Sequence, residues 1–412
     1  MKILVINTGS SSLKYKLFTM GHIRQKAVLL ADGIIERIGE KMGRITHTIF
    51  KKDQKRTFVK KKAIKSHKLG MHLAVNLLID PETGVLDDIN QIDAVGHRVV
   101  QGGEEFSNAA VIDKRVKKAI RNSFTLAPLH NPANLTGIQV SEALLPDIPN
   151  IAVFDTQFHQ TMPEKAFLYA LPYEYYTKLK IRRYGFHGTS HKYVAREAAN
   201  LMGKDKNRVN LITLHLGNGC SMCAIEKGEC RDTSMGMTPL SGIMMGTRTG
   251  DMDPAIPYFL MEQEGMDIKE VDAVLNKKSG LKGVCGFNDL RDIRKAAAKG
   301  NHKAQLAIDM FVFQIKKYVG AYAAVLGSVD ALVFTAGIGE NDYLVRAGIC
   351  ENLSFMGVDV DAEKNSSKAV PPFAIHTENS SVQVWVIPTN EELEIARQTF
   401  NRVSCGRKKG RL

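Results

Sequence analysis

No apolar run in this 412-residue chain reaches the length of a bilayer-spanning helix, which excludes a helical membrane protein. No G-x-x-x-x-G-K-S/T occurs, so the chain is not a P-loop protein, and no G-x-G-x-x-G follows a strand pattern, so a dinucleotide fold gains no support. No H-E-x-x-H occurs, and no segment is of low complexity. Apolar strand residues begin almost at Met1 and leave no room for a signal peptide, so the expected location is cytoplasmic. Only six cysteines are present, and Cys220 and Cys223 make the one C-x-x-C, with Cys230 nearby. Alternation along a strand would send Cys220 and Cys223 to opposite faces. They are therefore expected to be small strand residues rather than a zinc or redox pair.

What is present is ordinary globular composition, with 44% hydrophobic and 24% charged residues, in a chain long enough for two domains. The net charge of +13 raises a nucleic-acid reading. Much of the excess sits in Lys51–Lys68 and in the tail Arg407–Arg411, without interleaved aromatics or zinc-finger spacing. These segments are expected to be a solvated hairpin tip and a frayed terminus, attracting anions without specificity.

The organising stretch runs from Val5 to Phe18. Ile3–Ile6 is a short apolar run, Asn7–Ser12 a polar glycine-containing turn, and Leu13, Tyr15, Leu17 and Phe18 resume an apolar, mostly alternating pattern. The turn's glycine, its hydroxyls and Lys14 suit a phosphate. A second copy occupies Leu211–Ile225, with Gly217 placed like Gly9, 208 residues earlier. A repeat at half-length predicts two related domains, each with a phosphate-binding hairpin. A third glycine turn, Leu332–Asn341, also follows an apolar strand.

Further strands are predicted over Ala27–Ile38, Arg44–Phe58, Ile92–Val100, Asn150–Phe154 and Val382–Ile387. Helices are predicted over Ser66–Ile79, Val111–Ser123, Leu135–Leu145, Val194–Leu201, Ala255–Leu275 and Asp292–Leu326. Ala127–Asn134 reads as a proline-bounded turn, and Asp232–Pro254 as a long functional loop. Thr389 and Glu392 fit a capping box at the last helix. His187 and His191 form H-x-x-x-H, but Gly188 argues against a helix there and against zinc.

The chemistry offered is charge neutralisation and positioning, which is what phosphoryl transfer needs. Arg98 and Arg248 sit in glycine-rich surroundings and can grip carboxylate or phosphoryl oxygens in a planar fork. Asp155 lies just past a strand, where it can meet substrate or hydrated Mg²⁺, and Glu391 opens the last helix and could hold metal-bound water.

Ordered motifs along nearly the whole chain carry a resemblance. They are N-T-G-S-S-S-L-K (Asn7–Lys14), G-H-R-V-V (Gly96–Val100), F-D-T (Phe154–Thr156) and R-R-Y-G-F-H-G-T-S-H (Arg182–His191). H-L-G-N-G (His215–Gly219), M-G-T-R-T-G-D-M-D-P (Met245–Pro254), T-A-G-I-G-E-N (Thr335–Asn341) and N-E-E (Asn390–Glu392) follow. The chain resembles the acetokinase family of short-chain acyl kinases, which includes acetate, propionate and butyrate kinases. The resemblance implies an α/β, duplicated two-domain actin-like fold (sugar kinase/heat-shock protein/actin, ribonuclease H-like) with ATP in an interdomain cleft. It implies domains at 1–157, joined by a C-terminal helix 388–412, and at 158–387. The implied reaction is ATP + acetate ⇌ ADP + acetyl phosphate, with Mg²⁺, or Mn²⁺ in its place, by a homodimer without nucleic-acid or membrane partners.

By the same resemblance, Asn7 and Glu391 organise the metal and Lys14 supports the phosphates. Arg98 binds the carboxylate, Arg248 and His187 stabilise the transferring group, and Asp155 orients the attacking carboxylate or its metal. ATP falls to His215, Leu216, Gly217, Asn218 and Gly219, to Asp289, Leu290 and Arg291, and to Gly337, Ile338, Gly339, Glu340 and Asn341. Val100, Leu129 and Pro239 line the acyl pocket, with Phe186 close by. The match is weakest over Val284–Asp292. A longer acid is the nearest alternative; a non-catalytic actin-like nucleotide switch would need the ATP turns but neither G-H-R-V-V nor G-F-H-G-T-S-H.

Overall fold

A computed structural model of the chain describes residues 1–21, 27–51, 54–128 and 130–408, with side chains through residue 406. Leu129, expected in the acyl pocket, and the side chains of the basic tail Arg407–Arg411 lie outside the described residues. The chain divides into two compact units, Met1–Gln157 with Asn390–Leu412, and Phe158–Thr389.

The first unit is built on eight strands: β1 (Lys2–Thr8), β2 (Ser12–Thr19), β3 (Val28–Glu36), β4 (Gly43–Lys51), β5 (Gln54–Lys62), β6 (Ala94–Val99), β7 (Ala110–Val111) and β8 (Asn150–Phe154). They pair in the order β5-β4-β3-β2-β1-β6-β8-β7. β1 lies antiparallel to β2 but parallel to β6, which is parallel to β8. The apolar run of β1 is continuous because both faces are covered. Leu4 and Ile6 join the core over helix His67–Ile79, whereas Ile3 and Val5 pack with Ile395 and Ala396 of helix Glu391–Lys408. Gly96 permits that last contact, since a Cβ there would strike Thr399 and Ile395.

The second unit has β9 (Asn210–Leu216), β10 (Cys220–Glu226), β11 (Glu229–Thr233), β12 (Ala331–Thr335), β13 (Phe373–Ala374) and β14 (Gln383–Val386) in the order β11-β10-β9-β12-β14-β13. The sub-order β3-β2-β1-β6-β8 of the first sheet reappears as β11-β10-β9-β12-β14, with the same succession of two antiparallel and then two parallel pairs. This is the duplication predicted from the two glycine hairpins, in an α/β actin-like fold. One face of the second sheet packs on helix Gly188–Leu201, and helix His302–Leu326 packs against β9, β10 and β11.

Several local expectations are corrected. Arg44–Phe58 is not one strand but parts of β4 and β5; of the segment expected to be a solvated hairpin tip, residues 52 and 53 lie outside the described residues, and β5 is an almost wholly exposed edge strand. Its lysines suit an edge that must not recruit further strands. Val111–Ser123 shortens to helix Lys114–Asn122, because Val111 pairs in β7 and Asp113 caps the helix through the Val116 amide at 2.8 Å. Leu135–Leu145 lengthens to Asn131–Leu144, with proline in its first turn. Ala255–Leu275 breaks at Gly265, and Asp292–Leu326 breaks at Gly300; both glycines take left-handed φ, and Asp267 and Asn301 cap the helices that restart. Gly188 opens a helix instead of forbidding one. The cap of the last helix is Asn390, whose Oδ1 accepts from the Leu393 amide at 3.1 Å, not Thr389 with Glu392. Thr389 pairs its hydroxyl with Ser190 at 2.8 Å, and Glu392 binds Lys16 at 3.1 Å.

Candidate active site

In the first unit, Asn7 and Lys14 face each other across the β1–β2 register. Arg98 follows on the parallel neighbour β6, and Asp155 on the residue after β8, its amide donating to the Val99 carbonyl at 2.9 Å. Arg98 Nη2 donates to Asp155 Oδ2 at 2.6 Å and Nε reaches both carboxylate oxygens at 3.0 and 3.2 Å, a bidentate grip. Glu391 Oε2 lies 3.8 Å from the same Nε. Burial works against the guanidinium charge, but Asp155 and Glu391 outweigh it and hold Arg98 above its ordinary pKa. Burial pushes the Glu391 carboxyl up; Arg98 opposes this, and Asp155 adds to it.

These are hard oxygen donors, with two carboxylates crowded on one guanidinium. That donor set fits a Mg²⁺ ion, which takes one or two carboxylates and keeps its remaining waters. The Arg98 fork expected to hold a substrate carboxylate is taken here by Asp155. Val100, buried beside it, is anchored through its amide to Asn134 Oδ1 at 3.1 Å.

Asn134 is a residue that sequence reading passed over. Its side chain also donates to the Thr8 carbonyl at 2.8 Å, so helix Asn131–Leu144 is pinned to the ends of both β1 and β6. Asn131 holds the Gln101 amide at 3.0 Å and the Gln101 carbonyl at 2.8 Å. The run A-P-L-H-N-P-A-N is therefore a helix start with two buried amides aimed at strand ends.

In the second unit, His187 and Arg248 converge on the turn Gly217–Gly219 between β9 and β10. A Cβ at Gly219 would stand 3.5 Å from His187 Cε1 and 3.6 Å from Arg248 Nη1. His187 takes a left-handed φ of 55° just before helix Gly188–Leu201, a conformation costing roughly 1–2 kcal/mol outside glycine. The ring stacks on His215 with centroids 4.2 Å apart, and Nδ1 is 2.9 Å from Ser221 Oγ. Ser221 continues to His191 Nε2 at 2.8 Å, and His191 to Thr213 at 2.7 Å. Burial, then His159 and His215, hold His191 well below its ordinary pKa, so this buried imidazole stays neutral. His215 Nδ1 binds Ser190 at 2.8 Å. Ser190 and Ser221 thus fix three imidazoles, and the cue for Ser221 was a hydroxyl on a strand position buried on both sides.

Arg248 donates to the Pro239 carbonyl at 3.0 Å, and no described carboxylate pairs with it. Burial lowers its pKa, only partly opposed by Cys220. Pro239 thus meets Arg248 through its backbone, while Phe186 is fully buried with its carbonyl hydrogen-bonded to His159.

A cavity of about 700 Å³ opens beside the same turn, lined by Gly217, Asn218, Asn288, Asp289, Leu290, Arg291, Gly337, Ile338, Asn341 and Asp342. Eight of the residues expected to meet nucleotide are therefore brought together, with Asp289, Leu290 and Arg291 among them, although that segment carried the weakest motif match. Asp289 caps helix Leu290–Ala298 and clamps Arg291 at 2.6 Å. Asn288 and Asp342 join the lining unforeseen. The third glycine turn is a short helix, Ala336–Asn341. Glu340 and Gly339 do not line the cavity: Glu340 Oε1 accepts from the Ala336 amide at 2.8 Å and the Thr389 amide at 3.3 Å, and Gly339 packs on Phe334. Leu216 is fully buried at the end of β9, so its side chain belongs to the interior.

With this geometry in place, comparison gives concordant results. The family model described as the acetokinase family matches residues 2–397. A relative from Oleidesulfovibrio alaskensis, named acetate kinase, is 55% identical over 97% of this chain and 99% of its own. The solved acetate kinase of Porphyromonas gingivalis is 45% identical with a TM-score of 0.90, covering 97% of this chain and 99% of that one. A solved propionate kinase from Francisella tularensis is 42% identical with a TM-score of 0.88, over 97% and 99% of the two chains. The chain belongs to the acetokinase family, and it is a phosphotransferase with a carboxyl group as acceptor.

Proposed function

We propose that the chain transfers the γ-phosphoryl group of ATP directly to acetate, giving acetyl phosphate and ADP, reversibly and in line. The observation that carries this reading is the pairing of a nucleotide-sized cavity with a half-buried arginine that lacks a carboxylate among the described residues, both at the Gly217–Gly219 turn. An acetate oxygen is already a nucleophile at neutral pH, so the protein need not supply a strong base. The work left is to bring two anions together and offset their repulsion.

In this reading Arg248 and His187 hold the transferring group, and Ser221 keeps the His187 ring turned to it. Arg98 binds the acid, with Asp155 fixing the plane of the guanidinium and orienting the acid. The turn Gly217–Gly219 and the cavity lining hold ATP, and Lys14 supports its phosphates. Val100, Phe186 and Pro239 receive the methyl group. Asn7 and Glu391 would hold Mg²⁺, for which Mn²⁺ can substitute; the ion would neutralise charge on the transferring phosphoryl oxygens. The dependence on ATP fits a cytoplasmic enzyme. An exposed apolar row on helix His302–Leu326 supports a homodimer.

A hydroxamate assay for acyl phosphate across acetate, propionate and butyrate tests the reading. Acetate should lead in kcat/KM, with propionate slower and butyrate poor, because one methylene in an apolar pocket is worth only about 1–3 kcal/mol. A lead for propionate would overturn the choice of acid, and no acyl phosphate from any acid would overturn the reading.

A further inference from the structure

Between β10, β11 and the short helix Gln157–Thr161 lies a cluster that phosphoryl transfer does not use. His159 Nδ1 is 3.2 Å from Cys230 Sγ and 3.9 Å from Cys223 Sγ, and the two sulfurs are 3.4 Å apart. All three side chains are fully buried, and both thiols are free. Cys220, the other member of the C-x-x-C, points away and bonds the Gly217 carbonyl at 3.0 Å.

The imidazole is set for coordination. Its Nε2 lies 3.0 Å from the Phe186 carbonyl, which can only accept, so Nε2 carries the proton and Nδ1 turns a lone pair to the thiols. A backbone carbonyl fixing the far nitrogen is the usual support of a metal-bound histidine. Metal–sulfur bonds of about 2.3 Å and metal–nitrogen bonds of about 2.0–2.1 Å set donors roughly 3.5–4.0 Å apart, from a tetrahedral to a planar three-donor arrangement. The observed separations of 3.2, 3.4 and 3.9 Å lie in or just under that range, so an ion would enter with small side-chain shifts.

We propose that His159, Cys223 and Cys230 form a buried site for a thiophilic metal ion, Cu(I) in preference to Zn(II). Two thiolates and an imidazole are soft donors, which select these ions over Mg²⁺ or Ca²⁺. The cluster offers three ligands, and no fourth side-chain donor joins it among the described residues. The nearby Asp232 is engaged elsewhere, its Oδ1 accepting from the Thr233 amide at 2.7 Å and facing Arg183 at 3.7 Å. Closed zinc sites take four protein ligands, so a fully buried set of three donors suits Cu(I). The ion would brace His159 against Phe186 and so stiffen the turn that carries His187.

The test uses the full chain in a Cys285→Ser/Cys405→Ser background, which removes the two thiols that are not fully enclosed. The reduced protein is incubated anaerobically with Cu(I) or with Zn(II), both folded and during refolding, then passed over a chelator and analysed for bound metal. One Cu(I) per chain should be retained, with a rise in Tm, and should survive Cys220→Ala but be lost in Cys223→Ala and Cys230→Ala. X-ray absorption on the loaded parent, which needs no further variant to fold, should show two sulfur neighbours and one nitrogen. Failure to retain metal by either route, retention that survives Cys230→Ala, or a shell without two sulfurs would overturn the site. Retention of Zn(II) but not Cu(I) would overturn the metal preference.

Discussion

Two arginines of the candidate site differ in what they wait for. Arg98 already grips Asp155, whereas Arg248 is held only by the Pro239 carbonyl and the Met245 sulfur among the described residues. A half-buried guanidinium without a counter-charge among the described residues is poised for an anion, and its worth should appear in the transition state. Arg248→Ala is therefore expected to lower kcat by about a hundredfold or more, on the order of 3 kcal/mol. Arg248→Lys should recover little, because an ammonium cannot reproduce the fork. Near-native kcat in the folded alanine variant would remove Arg248 from this role. A second residue sets a pH dependence. His97 is buried with Nε2 on Asn150 Oδ1 at 2.7 Å; burial drives its pKa down to about 4, and that hydrogen bond only partly opposes the shift. The unfolded chain, with an ordinary histidine near 6.5, takes up the proton first. The contribution of neutral His97 is complete above that value and is lost as pH falls toward 4, a total of roughly 3 kcal/mol. Urea midpoints for wild type and His97→Gln across this window should converge as pH falls. Parallel curves would show that His97 does not carry the loss.

At the scale of elements, the buried amide of Asn134 joins three pieces of chain: its own helix, the Thr8 carbonyl and the Val100 amide. Asn134→Ala leaves both backbone groups without that partner and should cost about 1–3 kcal/mol per orphaned group. Because both groups end strands that carry candidate site residues, kcat should fall further than the loss of folded protein explains. Unchanged kcat in the folded fraction would mean that the strand ends hold their places unaided. The strands themselves were legible, since apolar runs next to glycine turns need only local pattern, and the half-length spacing announced the duplication. The pinning role was not legible, because Asn134 and Thr8 are 126 residues apart. Helix ends were misread where a side chain from elsewhere altered the choice, as when Thr389 bonded Ser190 and left the cap to Asn390. The thiol cluster shows the same limit. Alternation correctly parted Cys220 from Cys223, but the β10–β11 register slips between Ala224 and Ile225, setting Cys230 rather than Arg231 opposite Ile225. A one-residue slip exchanges the faces of a strand, and nothing in the local pattern announces it. Glu340 and Gly339 were assigned to ATP with their neighbours because a motif does not say which of its residues turn inward to bond the backbone.

For the whole molecule, duplication gave two sheets of one strand order with different equipment at the ends of their strands. The first carries carboxylates and an arginine beside Lys14, and the second carries the glycine turn and the cavity. The net charge of +13 has a place in this plan without a nucleic-acid partner, since lysines line the exposed edge strand β5. What the fold of one chain leaves unexplained is the outer face of helix His302–Leu326. Its inner face is buried through Ile308, Phe311, Ile315, Val319 and Tyr322, yet Leu306, Met310 and Phe313 stand exposed at helical spacing on the other side. Along the same stripe Gly320, Ala321 and Ala324 allow close approach of another helix. A helix apolar on two faces is normally covered on both. A second copy of this chain is the expected cover, consistent with the homodimer proposed above. Sedimentation at micromolar concentration should give a dimer, and Phe313→Lys should shift it to monomer while each chain stays folded, because that side chain, 64% exposed, supports no core of its own. A wild type that sediments as a monomer, or a dimer indifferent to Phe313→Lys, would show that this face is not the interface.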